Sequence, residues 1–498
     1  MYLRFLSAVS VLALLGGCAV GPDFKKPDTP AVSAYTPAPL ANPVAAPGVV
    51  AGDAQTFVQA ADVGGDWWSA FRSPALNTLV EQALKNNSDL KAAEATLRQA
   101  HETASAQKGA FYPQLSAGFN ASHQENPASL APVPATNALQ YDLFTPSLTI
   151  SYMPDIWGLT RRTVESYQAQ ADAARYQMLA AYTTLVNNVI ATAVQLAATQ
   201  GQIEATRGVI EAEKKSVTIL QYQKDKGYAS GLDLATQVTQ LAAAEASLPP
   251  LIKQEAAFHD QLAVLTGKFP AEAPPETLKL SDLTLPADLP VSLPAKLVSQ
   301  RPDVMQAEAN LHAASAGVGI AIANRLPNIT LTGNAGSTAL VLNQIMQPGT
   351  EFWTVAGGLT APLFQGGTLL HQERGARAAL EAAEAQYRSA VLGAFQNVAD
   401  TLVALEQDGA AVKSAADADT AAKKALDITQ RQLQDGYSNT LGLITAQQAY
   451  QQAEITLLQA QSTRFADTAA LFQALGGGWW HRTDLPDQTT NNGDAKNG

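Results

Sequence analysis

One cysteine, Cys18, stands among 498 residues, so no disulfide can form within the chain. Histidine is nearly as scarce: His101, His123, His259, His312, His371 and His481 are dispersed, without the spacing of metal ligands. The five methionines (Met1, Met153, Met178, Met305, Met346) are unclustered, which makes copper-selective chemistry less attractive. Charged residues are only 15%, and the net charge of −12 argues against a nucleic-acid partner, which needs a basic patch. Beyond the N-terminal region no segment reads as the roughly 18 or more apolar residues of a transmembrane helix. A membrane, if crossed, has to be crossed by strands. Catalytic signatures are also wanting. Leu265-Thr266-Gly267-Lys268 is like a P-loop fragment, but Phe269 holds the Ser/Thr position and the glycine-rich start is missing, so it reads as a helix end. With no Gly-x-Ser-x-Gly elbow or paired-carboxylate motif, the expectation is a protein that is not an enzyme and holds no cofactor.

What is present begins at the N-terminus. Arg4 followed by the apolar run Phe5 to Leu15 is too short to span a bilayer and reads as a signal peptide over 1–17. The run ends in Leu15-Gly16-Gly17-Cys18, similar to the bacterial lipoprotein pattern in which the cysteine is acylated and becomes the first mature residue. Ala19, rather than Asp, follows it, which in that pattern implies sorting to the outer membrane. Residues 18–66, rich in Pro, Ala and Val, are expected to form a lipid-anchored extended tether.

From Trp67 onward one plan runs twice. Asp89, Ala93, Glu94, Leu97 and Ala100 match Asp303, Ala307, Glu308, Leu311 and Ala314 at a constant offset, and Pro113 and Asn120 match Pro327 and Asn334. Further on, Pro154 and Gly158 match Pro362 and Gly366, and Gly227-Tyr228 matches Gly436-Tyr437. The chain is therefore a duplicated half, 67–275 and 276–480, with a flexible tail at 481–498. Each half is expected to hold a first helix (75–109; 294–324), a strand pair, a very long helix (159–226; 368–435) and a returning helix (231–266; 440–475). A helix of that length exceeds ordinary globular helices several-fold and signals a coiled coil or tube. Gly227 and Gly436 suit left-handed caps at the reversals, and Ser230-Gly231-Leu232-Asp233 has capping-box spacing.

The strand segments alternate strictly between apolar and small or polar residues: Leu115 to Ser122, Ser147 to Tyr152, Ile329 to Thr332 and Trp353 to Leu359. Period two with one apolar face suits a wall between lipid and water, and a soluble sheet on a core is the alternative. The polar links 123–142 and 337–350 would be external loops. Four strands cannot lie in lipid with bare edges, so several chains have to close one barrel.

Trp67-Trp68-Ser69-Ala70-Phe71-Arg72-Ser73-Pro74-Ala75-Leu76, Gln300-Arg301-Pro302-Asp303-Val304, Pro362-Leu363-Phe364-Gln365-Gly366-Gly367 and Cys18-Ala19-Val20-Gly21-Pro22-Asp23-Phe24 together resemble the outer-membrane factors of tripartite efflux systems. The likeness is strongest to their lipoprotein branch, named after nodulation protein T, and covers essentially the whole mature chain. It implies a mainly α protein with a transmembrane β-barrel: a homotrimer whose four strands per chain form a twelve-stranded outer-membrane barrel continued by a periplasmic α-helical barrel. Two chains would give only eight strands, a barrel that side chains fill, whereas the inward Ser, Thr, Gly and Asn here suit a water-lined pore. The implied partners are a periplasmic adaptor and an inner-membrane pump, commonly of the resistance–nodulation–division class, with outer-membrane lipid around the barrel. In that family the hairpin tips form a periplasmic gate, partly through acidic rings. Asp233 matches an acidic position, with helix capping as its plainer role; Asp435 and Tyr437 are weaker gate candidates. In the second half Gly442-Leu443-Ile444-Thr445 replaces the usual acidic run. A type I protein-secretion channel would share this fold, and a non-channel coiled-coil lipoprotein would lack the alternating strands.

Overall fold

The computed structural model describes residues 19–127, 139–273, 278–435 and 437–485. The signal peptide, Cys18, Gly436 and the tail beyond 485 lie outside the described residues. The chain divides into two compact units. One comprises the N-terminal stretch to Pro27 with Thr96–Ala174 and Gln306–Tyr387; the other comprises Asp28–Ala95, Arg175–Met305 and Arg388 onward.

In chain order the elements are β1 (Thr56–Gln59), α1 (Pro74–Asn86), α2 (Ser88–Lys108), β2 (Gln114–Glu125), β3 (Gln140–Tyr152), α3 (Leu159–Asp225) and α4 (Gly231–Leu265). The second half follows with β4 (Asp288–Val291), α5 (Pro294–Gln300), α6 (Pro302–Ala323), β5 (Asn328–Ser337), β6 (Glu351–Thr360), α7 (Thr368–Gln434) and α8 (Thr440–Ala474). In the hairpin helices the duplication is kept to the residue. Both long helices have 67 residues and both returning helices 35. At 1.5 Å per residue, 67 residues span roughly 100 Å. α3 carries a stretch long and apolar enough to cross a membrane, contrary to the sequence reading, but most of it is buried inside the protein and serves as core.

Two further expectations need correcting. The first helix of each half is broken, at Asn87 and at Arg301, which are equivalent positions. Asn87 Oδ1 accepts from Leu90 N at 2.9 Å and so starts α2, while its Nδ2 donates to Leu265 O at 3.0 Å, closing the end of α4. In the second half Pro302 forces the break, because the residue before proline is driven out of the helical region. The N-terminal tether is also tied down. β1 pairs in parallel with β4, and Arg464 on α8, wholly buried, donates to Ala51 O (2.8 Å), Asp53 O (2.9 Å) and Gln55 Oε1 (3.2 Å).

The larger unit has an apolar core in which α3 contributes Val186, Val189, Ile190 and Val194, α7 contributes Val398, Leu402 and Leu405, and α8 contributes Phe465 and Phe472. The tryptophan motif fills it: Trp67 stacks on Phe472 at 5.0 Å and 11°. Arg301 closes the end of α8, donating to Ala474 O at 2.9 Å while held by Asp303 through two bonds of 2.9 and 2.7 Å.

Candidate functional site

The smaller unit holds one antiparallel sheet of order β2-β3-β5-β6. Directly opposed residues of an antiparallel pair share a face, so the register sorts the side chains. One row runs Leu115, Ile150, Gly333, Val355, and the next parallel row on that face Ala117, Leu148, Ala335, Trp353. Between them runs Ser116, Thr149, Asn334, Thr354 on the other face. One side is apolar and open to the surroundings, with Leu115, Phe119, Leu148, Trp353, Val355 and Leu359 all exposed. The other is lined by hydroxyl and amide groups. The strands of the first pair are longer than the sequence suggested, so the connection is only 126–139, and its residues 128–138 lie outside the described set. Among the described residues of one chain, β2 and β6 each offer a free edge.

The hairpin tips belong to the other unit. At the first, Gly227 has φ +78°, Tyr228 N donates to Gln223 O at 2.8 Å and Gly227 N to Lys224 O at 2.9 Å. This pair of bonds is the Schellman closure that a left-handed glycine permits. Ser230 and Asp233 then form a capping box: Asp233 N donates to Ser230 Oγ at 3.1 Å, and Asp233 Oδ2 accepts from Ser230 N (3.1 Å) and Oγ (2.7 Å). These bonds to the charged form hold the Asp233 carboxyl below its ordinary range. At the second tip Tyr437 N donates to Gln432 O at 2.8 Å, the equivalent closure, and Asp435 N continues the helix to Arg431 O at 3.0 Å. Asn439 caps α8 by accepting from Gly442 N at 2.8 Å, so a neutral amide does here what Ser230 does in the first half.

Asp435 and Tyr437 are exposed at their tip, and Asp233 is half-exposed at the other. Sequence reading passed over their apolar neighbours. Tyr228 and Leu232 at one tip, and Leu441 beside Tyr437 at the other, stand out into solvent at equivalent positions. The repeated Gly-Tyr and Leu were the available signal. It also passed over Glu213, whose carboxyl burial pushes up and whose Oε2 accepts from the buried Gln237. No group of three or more His, Cys, Asp or Glu that could hold a metal exists among the described residues.

The profile of the outer membrane efflux protein family matches residues 79–268 and 293–477, one match per half. The chain belongs to that family. It is 30% identical over 427 residues to the pyoverdine export outer membrane protein OpmQ of Pseudomonas putida, covering 83% of this chain and 88% of that one. It is 26% identical over 490 residues to the toluene efflux pump outer membrane protein TtgC of Pseudomonas putida, covering 97% of each. Among solved structures, the outer-membrane channel OprN superimposes with a TM-score of 0.80 at 26% identity, over 93% of this chain and 100% of that one. The fold is that of a trimeric outer-membrane channel in which four strands from each chain close a twelve-stranded β-barrel and the long helices form a periplasmic α-helical barrel. As the outer-membrane component of an efflux pump, the protein works with an adaptor and an inner-membrane pump.

Proposed function

We propose that three copies of this chain form a passive, acylated conduit for small molecules, fed by an inner-membrane pump of the resistance–nodulation–division class through a periplasmic adaptor. The reading rests on one observation above all: a four-stranded sheet with an apolar and a hydroxyl-lined face and a free edge on either side. Edges of this kind cannot remain open in hydrocarbon, where unpaired backbone groups cost several kcal/mol each. Relatives whose names give pyoverdine and toluene as their exported compounds support small solutes as cargo. Residues 1–17 are removed as a signal peptide and Cys18 carries the acyl chains at the head of segment 18–66; the repeats are 67–275 and 276–480, with a tail at 481–498. Two acyl signals on one cysteine suffice for stable anchoring.

At rest the conduit is shut at the hairpin tips, where Gly227, Gly436, Asp233, Asp435 and Tyr437 cluster along the chain. An exposed carboxylate repeated by symmetry at a narrow aperture gathers cations. Native mass measurement of the detergent-solubilised protein is expected to give three chains, each beginning at an acylated Cys18. A monomer or dimer overturns the conduit, and an unmodified N-terminus overturns the anchor alone.

A further inference from the structure

Two pairs of large apolar residues sit where the sheet is unfinished. Phe111 and Tyr112 immediately precede the edge strand β2, and Leu363 and Phe364 closely follow the other edge strand β6. Leu363 and Phe364 are 95% and 90% exposed and Tyr112 is 70% exposed, among the barest large apolar side chains described. Strands β2 and β6 run antiparallel, so both pairs lie at the same end of the sheet. Exposed patches of this kind mark interaction surfaces.

The register says what covers them. The row through Gln114, Ser151 and Thr332 meets β6 at Ala356, four residues short of its end at Thr360, so the strand ends step progressively across the chain. At the seam between copies the edge strands have to pair with apolar positions opposite apolar ones, because opposed residues share a face. A seam that adds no step, or one of two residues, meets that demand and keeps the stagger. Thr360 then lies opposite Gln114 of the partner subunit or Ser116 of the partner subunit. In either register Leu363 and Phe364 arrive beside Phe111 of the partner subunit and Tyr112 of the partner subunit. Tyr112 itself has extended backbone (φ −110°, ψ 152°), and the two-residue alternation sets it on the face opposite Leu115, away from lipid.

We propose that Leu363-Phe364 of one copy and Phe111-Tyr112 of the next form an inter-subunit clasp, repeated at each seam, that locks the barrel at the end where its strands pass into helices. The proposal rests on the trimeric reading above, and the test separates the two. With Cys18 the only native cysteine, engineered pairs report cleanly. Tyr112→Cys/Phe364→Cys is directly opposed in one register and Phe111→Cys/Leu363→Cys in the other. Oxidised as the assembled full-length protein, one of these double variants is expected to run as a covalent trimer under denaturing, non-reducing conditions, and each single variant as a monomer. Disulfides demand Cα atoms within about 7 Å, so distant positions cannot give that band. A native trimer that yields no covalent trimer from either pair overturns the clasp and leaves the trimer standing. A second readout covers a double variant that fails to assemble: bimane on Phe364→Cys, in vesicles of brominated phosphatidylcholine. Protection from quenching supports the clasp; strong quenching means Phe364 faces lipid and overturns it.

Discussion

Asp408 on α7 and Asp467 on α8 meet as two carboxyls, and among the described residues no donor reaches the buried Asp408 Oδ2. Neither group can donate while both are ionised, so the contact becomes a hydrogen bond only when one proton is shared. Burial, and then the negative charge of Asp467, push the Asp408 carboxyl up to about 7 from an ordinary 3.8, with Arg464 pulling the other way. Between those two values the folded protein binds more protons than the unfolded chain, so stability falls as pH rises through the window, and the cost is complete above about 7. Asp408→Asn keeps a donor toward Asp467 and removes the charge. The variant is expected to melt roughly 2–4 °C higher than wild type at pH 8, the effect of about 1 kcal/mol in a large domain, and at the same temperature near pH 4. Only part of the displacement is counted as stability, because the pair is partly solvated. Destabilisation at pH 8 would show instead that Asp408 is needed there as a carboxylate.

At the scale of elements, the two tips use different chemistry for one task, and this separates Asp233's capping role from its gating role. Asp233→Asn leaves an oxygen to accept from Ser230 N and removes the charge, whereas Asp233→Ala removes both. If the charge matters at the aperture, Asp233→Asn lowers cation preference in planar-bilayer recordings while hydrogen exchange at the start of α4 stays unchanged. Asp233→Ala is expected to lower cation preference as well and, with the capping box broken, to speed hydrogen exchange at the start of α4. Unaltered ion preference in both variants assigns Asp233 to the cap alone. These elements were legible because periodicity and duplication reinforce each other. Helices of 67 residues leave a long signal, and a second copy checks the first. Strand alternation was equally clear, because its faces answer to different solvents. The β1·β4 pair was not legible: four residues joined to four others about 230 positions away leave no local pattern, and only the fold brings Thr56 to Asp288. The break at Asn87 was hidden for another reason: it is a single residue in an otherwise continuous helical pattern, and it takes its role from a bond to Leu265 far along the chain. The break at Arg301 had a local signal in Pro302, across which the expected helix ran.

For the whole molecule, the acyl chains proposed at Cys18 and the barrel are rival means of holding it in the membrane. Behind Cys18 the chain is strapped to the smaller unit. Val20 N donates to Trp157 O at 3.0 Å, and the buried Arg162 donates to Val20 O at 3.2 Å, to Asp23 at 2.6 Å and to Glu165 at 2.8 Å. Phe24 stacks on His312 at 4.3 Å, and Gly21 lies so close to Gly319 that a Cβ on it would come within 2.4 Å of the Gly319 Cα. Trp157 in turn donates to Pro327 O at 2.8 Å, the residue before β5. The strap therefore ends beside the feet of the barrel strands, and none of its contacts needs the lipid. The apolar face of the sheet is the larger membrane contact, with Trp353, Val355, Leu115 and Phe119 among its exposed side chains. Two consequences follow for Cys18→Ser. The acyl mass disappears, and the protein remains a trimer that carbonate washing does not release from outer-membrane fractions. Combining it with Arg162→Ala removes the buried cation that holds the strap, and limited proteolysis is then expected to cut within residues 19–26 while the barrel stays protected. Recovery of the Cys18→Ser protein as a soluble periplasmic species would mean that the anchor, rather than strand closure, delivers the channel to its membrane.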